Sequence, residues 1–300
     1  MSFNTFFKLK NGNDIPALAI GSGAHRKGVD LTTVTERVEY TIGLPGVSHI
    51  DTAEAYLVNS QVADAIGKSF EKGIERRSFW ITSKYWPGTS ISFNNGVPME
   101  PFSPDPLQAI DKITTTLGIQ YLDLFLLHSA DITEDKNGYD LKQAWRYMED
   151  AYRTGKAKNI GVSNFTISNL LKILEVCEIA PAVNQIEFHP YNQDASLVDF
   201  CKSNQILVEG YSPLTPISFA KGGPLDPILA DLSKKYQRSA SVVLLRWAFQ
   251  SNVLPITSSS HTERIKEYLE VFDFQLAELD FDKIEKVGRS YSFRKTPPMT

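Results

Sequence analysis

Short apolar runs alternate with longer stretches of helical period along most of the chain. Eight runs have the length and composition of strands: Ala17–Ile20, Ser48–Asp51, Phe79–Lys84, Leu122–His128, Asn159–Ser163, Ala182–Glu187, Ile206–Gly210 and Leu254–Thr257. Between and after them, apolar residues recur every three or four positions over 31–43, 58–72, 106–118, 141–154, 166–178, 194–204, 239–250 and 262–270. The clearest helix is 141–154, where Leu141, Ala144, Trp145, Met148 and Ala151 or Tyr152 share a face and Gly155 follows as a stop. Ahead of the first run, TFFKLKNGNDIPAL reads as two short strands joined by a turn at Asn11-Gly12-Asn13.

Strand–helix alternation without a linker, low-complexity tract or short repeat predicts one domain over residues 1–300, a closed (β/α)8 TIM barrel. The hairpin would close the barrel bottom. Three connections exceed what such units need, at 85–105, 129–140 and 212–225. All three follow strands, so all three rise over the C-terminal face, where barrel active sites lie.

Composition narrows the function classes. The chain has 300 residues, 42% of them hydrophobic, enough for a large core, and 22% charged. A net charge of −4 lacks the basic excess of a nucleic-acid binder. No apolar run approaches the ~18 residues that span a bilayer. The N-terminal stretch has no signal-peptide pattern, so a soluble cytoplasmic protein is expected. Cys177 and Cys201 both fall in helical segments and read as buried reduced thiols. The histidines at 25, 49, 128, 189 and 261 have no H-x-H or other metal-ligand spacing, so no metal is expected, and a metal-dependent barrel hydrolase is disfavoured. A G-x-G-x-x-G dinucleotide fingerprint is absent; Gly21-Ser22-Gly23 is too short for one.

Four polar residues stand at or just beyond the ends of three runs: Asp51 and Tyr56 in HIDTAEAY, Lys84 in FWITSK, His128 in LDLFLLH. Each has a plain structural alternative: a helix cap for Asp51, a turn residue for Tyr56, a solvent-reaching lysine, a core histidine. A barrel that aligns strand ends would instead collect a carboxylate, a phenol, an ammonium and an imidazole. That set suits proton delivery to a carbonyl oxygen, with Tyr56 as acid, Lys84 lowering its pKa, Asp51 holding Lys84 and His128 orienting the substrate.

The segments GVSHIDTAEAY, TSKYW, YLDLFLLHS, GKAKNIGVSNF, PAVNQIEFHPY, VEGYSPL and LLRWAFQSNVLPITSSSHTERI resemble, in order, the signatures of the aldo-keto reductase superfamily. Within it the wording is similar to fungal conjugated polyketone and ketopantoyl-lactone (2-dehydropantolactone) reductases. The resemblance implies NADPH (NADP+) as cofactor, a small-molecule carbonyl substrate and a monomer. It places the cofactor along Gly23, Ala24, Asp51, Ser163, Asn164, Gln185, Tyr211, Ser212, Pro213, Leu214 and Lys221, with Ser258, Ser259, Ser260 and Arg264 at the 2′-phosphate. It places the substrate among His25, Tyr56, Trp86, His128 and Ser129.

Two departures bear on specificity. Ser258-Ser259 replaces the Lys-Ser of many members, removing one cation from the 2′-phosphate site. His25 and Ser129 stand where many relatives carry apolar or larger aromatic residues, so a wider, more polar pocket for compact dicarbonyls is expected. A second reading, a nucleotide-binding redox sensor of the same fold with little turnover, shares the four residues. The sequence shows no long N-terminal docking extension, which favours the enzyme.

Overall fold

A computed structural model describes residues 5–23, 30–44, 48–89 and 101–296. The apolar runs become the strands β3 (Ala19–Gly21), β4 (His49–Asp51), β5 (Trp80–Tyr85), β6 (Leu124–Leu127), β7 (Ile160–Ser163), β8 (Val183–Glu187), β9 (Leu207–Tyr211) and β10 (Val253–Thr257), preceded by a hairpin of β1 (Phe6–Lys8) and β2 (Asp14–Pro16). β3 through β10 form a closed barrel of parallel neighbours, β10 pairing with both β9 and β3. Parallel strands need a crossover; seven of the helical segments read from the sequence supply one, and the eighth, 262–270, follows β10.

Alternation along each strand divides the core. On β5, Ile81 and Tyr85 pack outward against the helices, whereas Trp80 joins Leu124, Leu126, Val183, Leu254 and Ile256 inside the barrel. Leu9 and Ile15 from the hairpin segment pack onto this inner cluster and close the N-terminal end. Asn11 and Asn13 fasten the turn by donating to Asn159 Oδ1 at 2.8 and 3.0 Å. Burial of each such Leu or Ile is worth roughly 1.5–3 kcal/mol. The lower interior is therefore largely apolar; its polar exception, His49 at the start of β4, is satisfied by Thr82 Oγ1 at 2.8 Å and the Pro16 carbonyl at 3.3 Å.

Helix 141–154 forms as Leu141–Arg153, burying the expected face, and Gly155 ends it at φ 77°. Besides the single turns Glu134–Asn137 and Thr215–Ser218, two longer helices were not foreseen. Asp226–Tyr236 buries only Ile228, Leu229 and Leu232. Glu278–Arg289 is mostly charged and buries only Ile284 and Gly288. Gly288 is there for contact rather than propensity: a Cβ would lie 2.3 Å from the Pro190 carbonyl oxygen. The helix read over 166–178 stops at Leu174, so Cys177 lies beyond it and is only partly buried, while Cys201 is buried as expected. Among the described residues, no helix is long and apolar enough to cross a membrane.

Candidate active site

The register Asp51↔Thr82 puts Lys84 two residues further along the neighbouring strand, on the same inward face. Its ammonium therefore reaches back over the end of β4. Lys84 Nζ donates to Asp51 Oδ1 and Oδ2 at 2.7 and 2.8 Å, to the Thr52 carbonyl at 2.9 Å and to the Tyr56 hydroxyl at 3.2 Å. Lys84 is 0% exposed and Asp51 2%. A buried ammonium is tolerable only with such partners, since desolvation otherwise outweighs the Coulomb gain.

Tyr56 comes from a single 3-10 turn, Glu54–Tyr56, that ends on Leu57 at φ 55°. Burial first, then the charge of Asp51 and its hydrogen bonding, then Glu209, hold the phenol's pKa well above its ordinary 10. This reverses the direction expected from Lys84 alone. The ammonium does donate to the hydroxyl, but burial and two carboxylates outweigh it. The resting phenol keeps its proton, which is the form a proton donor needs.

His128 follows β6 in phase with inward Leu124 and Leu126, and its N–H donates to the Tyr85 carbonyl at 3.0 Å. Its ring stands edge-on to Tyr56, centroids 5.7 Å apart, and to Trp86 at 5.2 Å. Glu54, a buried carboxylate not singled out in the sequence, accepts from the Trp86 N–H at 3.3 Å and from the Ser103 N–H and hydroxyl at 2.8 and 2.6 Å. It ties the Trp86 backbone to Ser103. Ser129 is buried, and its hydroxyl accepts from the Asp131 N–H at 3.1 Å, which leaves its own proton to donate.

On the next strands, Ser163, Asn164, Gln185 and Tyr211 form one hydrogen-bonded group. The Tyr211 hydroxyl donates to Asn164 Oδ1 at 2.8 Å, and Asn164 Nδ2 donates to the His128 carbonyl at 3.0 Å and Ser163 Oγ at 3.1 Å. Asn164 reaches both because it sits at φ 62°, a left-handed conformation asparagine accepts. The ring of Tyr211 is thereby held as a fixed flat surface at the end of β9.

Gln185 Nε2 donates across the barrel to Asp51 Oδ2 at 2.9 Å and to Glu209 Oε2 at 2.8 Å. Glu209 was not foreseen, although alternation along β9 places it inward between Leu207 and Tyr211. Burial and the neighbouring Asp51 charge push its pKa up to about 8, against Gln185 and Lys84, which act to lower it. A carboxyl raised in the folded state binds its proton more tightly there than when unfolded. It therefore costs stability as pH rises from about 4.5 towards about 8. Glu209→Gln is expected to remove that dependence. Denaturation midpoints should diverge in favour of the variant between pH 5 and 8, by an amount on the order of a few kcal/mol; parallel curves would show that Glu209 ionises normally.

The family profile for the aldo/keto reductases matches residues 17–289. The chain belongs to the aldo/keto reductase family. It is 39% identical to an NADPH-dependent alpha-keto amide reductase of Saccharomyces cerevisiae over 96% of this chain and 92% of the relative. It is 35% identical to an NAD/NADP-dependent indole-3-acetaldehyde reductase of Schizosaccharomyces pombe, each chain covered to 91%. Its fold superposes on a Bombyx mori aldo-keto reductase solved in complex with NADP, with a TM-score of 0.83, 30% identity, and coverage of 96% of this chain and 94% of the other.

The rest of the expected aldo/keto reductase cofactor surface is more dispersed. Ser212 follows Tyr211 at φ 57° and leads through Pro213 and Leu214 into the short helix Thr215–Ser218. Lys221 is exposed on the turn after it. Ser258, Ser259 and Ser260 follow β10; Ser258 Cβ lies 3.9 Å from where a side chain on Gly21 would begin, and Ser259 Oγ accepts from the His261 N–H at 3.0 Å. Arg264 is exposed on helix Thr262–Tyr268, which starts from His261 rather than from a serine cap. No hydrogen bond described ties this serine run or Arg264 to the four central residues. Gly23 accepts through its carbonyl from Arg37 at 3.2 Å, and Arg37 also donates to the Ser22 carbonyl. Arg37, buried in helix Thr32–Ile42, is a third unforeseen support, its pKa lowered to about 10 by burial. Ala24 and His25 lie outside the described residues.

Proposed function

We propose that this aldo/keto reductase uses NADPH to reduce compact α-dicarbonyl compounds, conjugated polyketones and ketopantoyl lactone among them, to the hydroxy product. The observation that carries the reading is the Lys84 ammonium placed between the Asp51 carboxylate and the Tyr56 hydroxyl. When bound, NADPH supplies a hydride to the carbonyl carbon. Tyr56 gives its proton to the carbonyl oxygen, so the C=O π bond is replaced by one C–H and one O–H bond. The tyrosinate left behind is stabilised by Lys84 and regains its proton from solvent. His128, fixed at its backbone and packed against Trp86, orients the carbonyl oxygen towards the phenol.

The residues fit the cofactor by their chemistry. Ser163, Asn164 and Gln185 supply hydroxyl and amide groups for a carboxamide beside the fixed ring of Tyr211, on which a nicotinamide can stack. Ser212, Pro213, Leu214 and Lys221 would face the diphosphate, and Ser258–Ser260 with Arg264 the 2′-phosphate.

The substrate class rests on Ser129 and on the alpha-keto amide chemistry named for the yeast relative. Its test is NADPH oxidation across a panel at matched concentrations. An isatin-like dione and ketopantoyl lactone are expected to exceed benzaldehyde in kcat/KM by at least about tenfold, the scale of one well-placed polar contact. Preference for benzaldehyde would overturn the dicarbonyl reading.

A further inference from the structure

The residues after helix Glu278–Arg289 return across the C-terminal face as a strap with several fastenings. At its root the helix closes onto Pro190 through Gly288. Tyr291 packs on Tyr191 with centroids 4.8 Å apart, and the Phe293 N–H donates to the Tyr191 carbonyl at 3.2 Å. Next, Glu187 at the end of β8 takes the N–H groups of Lys295 and Thr296 on its two oxygens, at 2.6 and 2.8 Å. The Glu187 side chain is itself fully buried and accepts from or pairs with His189 Nε2 at 3.0 Å. Charge-assisted bonds to two successive backbone amides set the path of the strap rather than merely covering the surface.

That path decides where one cation goes. Lys295 extends over the Phe219 ring, its ammonium 4.6 Å from the centroid, and donates to Ser212 Oγ at 3.3 Å. Ser212 is the left-handed residue that opens the turn after Tyr211. An anion held by this turn would therefore meet a hydroxyl and an ammonium together.

We propose that Lys295 is a binding residue for the diphosphate bridge of the dinucleotide, delivered to the Ser212 turn by the Glu187-clamped strap. The inference rests on the reading above that NADPH binds with its diphosphate at that turn. It assigns the strap a part in holding the cofactor. Because the diphosphate is common to both dinucleotides, Lys295 acts equally on NADPH and NADH, whereas a contact at the 2′-phosphate would act on NADPH alone.

The test is equilibrium binding of NADPH and NADH, followed by quenching of tryptophan fluorescence, for the full chain and its Lys295→Met and Lys295→Arg variants. Lys295→Met is expected to raise both dissociation constants by a similar factor of about ten, and Lys295→Arg to keep them within about twofold of the original. Lys295 is exposed, and matching thermal melts would show that the variants are folded. Unchanged binding in Lys295→Met, or a loss confined to NADPH, would overturn the assignment while leaving the cofactor reading intact. Failure of the unaltered chain to bind either dinucleotide would overturn that reading and this inference with it.

Discussion

Replacing Lys84 with methionine is expected to destabilise the barrel by roughly 3–5 kcal/mol and to abolish measurable reduction. Methionine has nearly the length of lysine, so little volume is lost. What is lost is the ammonium bonded to both Asp51 oxygens, at a site where the carboxylate is 2% exposed. Asp51 would keep one amide donor from Gln185, which it shares with Glu209. Two buried carboxyls would then face each other without a cation. Their mutual repulsion raises proton affinity, so the variant should recover stability as pH is lowered from 8 to 5, where one carboxyl can hold a proton. Chemical denaturation at both pH values checks this. Adding Asp51→Asn to Lys84→Met should restore much of the stability and none of the activity, because it removes the unpaired charge without replacing the cation. A single variant as stable as the original chain at pH 8 would show that the pair contributes nothing.

Tyr56→Phe is expected to lower kcat by about 10³-fold or more while leaving dinucleotide binding within about twofold, in line with general-acid contributions of roughly 10²–10⁴. The substitution is mild structurally. Lys84 loses its longest described bond, at 3.2 Å, and retains Asp51 and Thr52. The ring stays against His128. A neutral hydrogen bond is worth about 1 kcal/mol, so the fold should survive with little change in melting temperature. Loss of activity in a stable, cofactor-binding variant separates proton donation from positioning.

The strands were legible because buried parallel strands are nearly continuous apolar runs, and all eight formed within a few residues of their predicted bounds. Asp51, Lys84 and His128 were legible as polar residues interrupting those runs at their ends. The structure brings them together with Tyr56 and with the Ser163, Asn164, Gln185 and Tyr211 group. Glu209 was not legible because the five residues of β9 are too few to show the alternation that points it inward in the assembled barrel. Arg37 and Glu54 escaped for another reason: each looks like an ordinary charged residue, and only tertiary packing buries it against loop backbone. Helix Glu278–Arg289 was hidden because most of its residues are charged and its apolar contact is thin: Ile284 and Gly288 are fully buried, while Phe281 and Val287 pack only partly against the core. The pKa of Tyr56 was misjudged in direction because burial and a second carboxylate are properties of the assembled site.

The most direct test of the account is a single turnover. Enzyme preloaded with NADPH is mixed with excess ketopantoyl lactone, and the loss of nicotinamide absorbance is followed for the original chain and for Tyr56→Phe. A fast decay of one equivalent is expected in the original chain and a decay slower by about 10³-fold in the variant, with both proteins loaded to the same extent beforehand. Equal decay rates in the two proteins would contradict it, since the proton would then come from a group other than Tyr56.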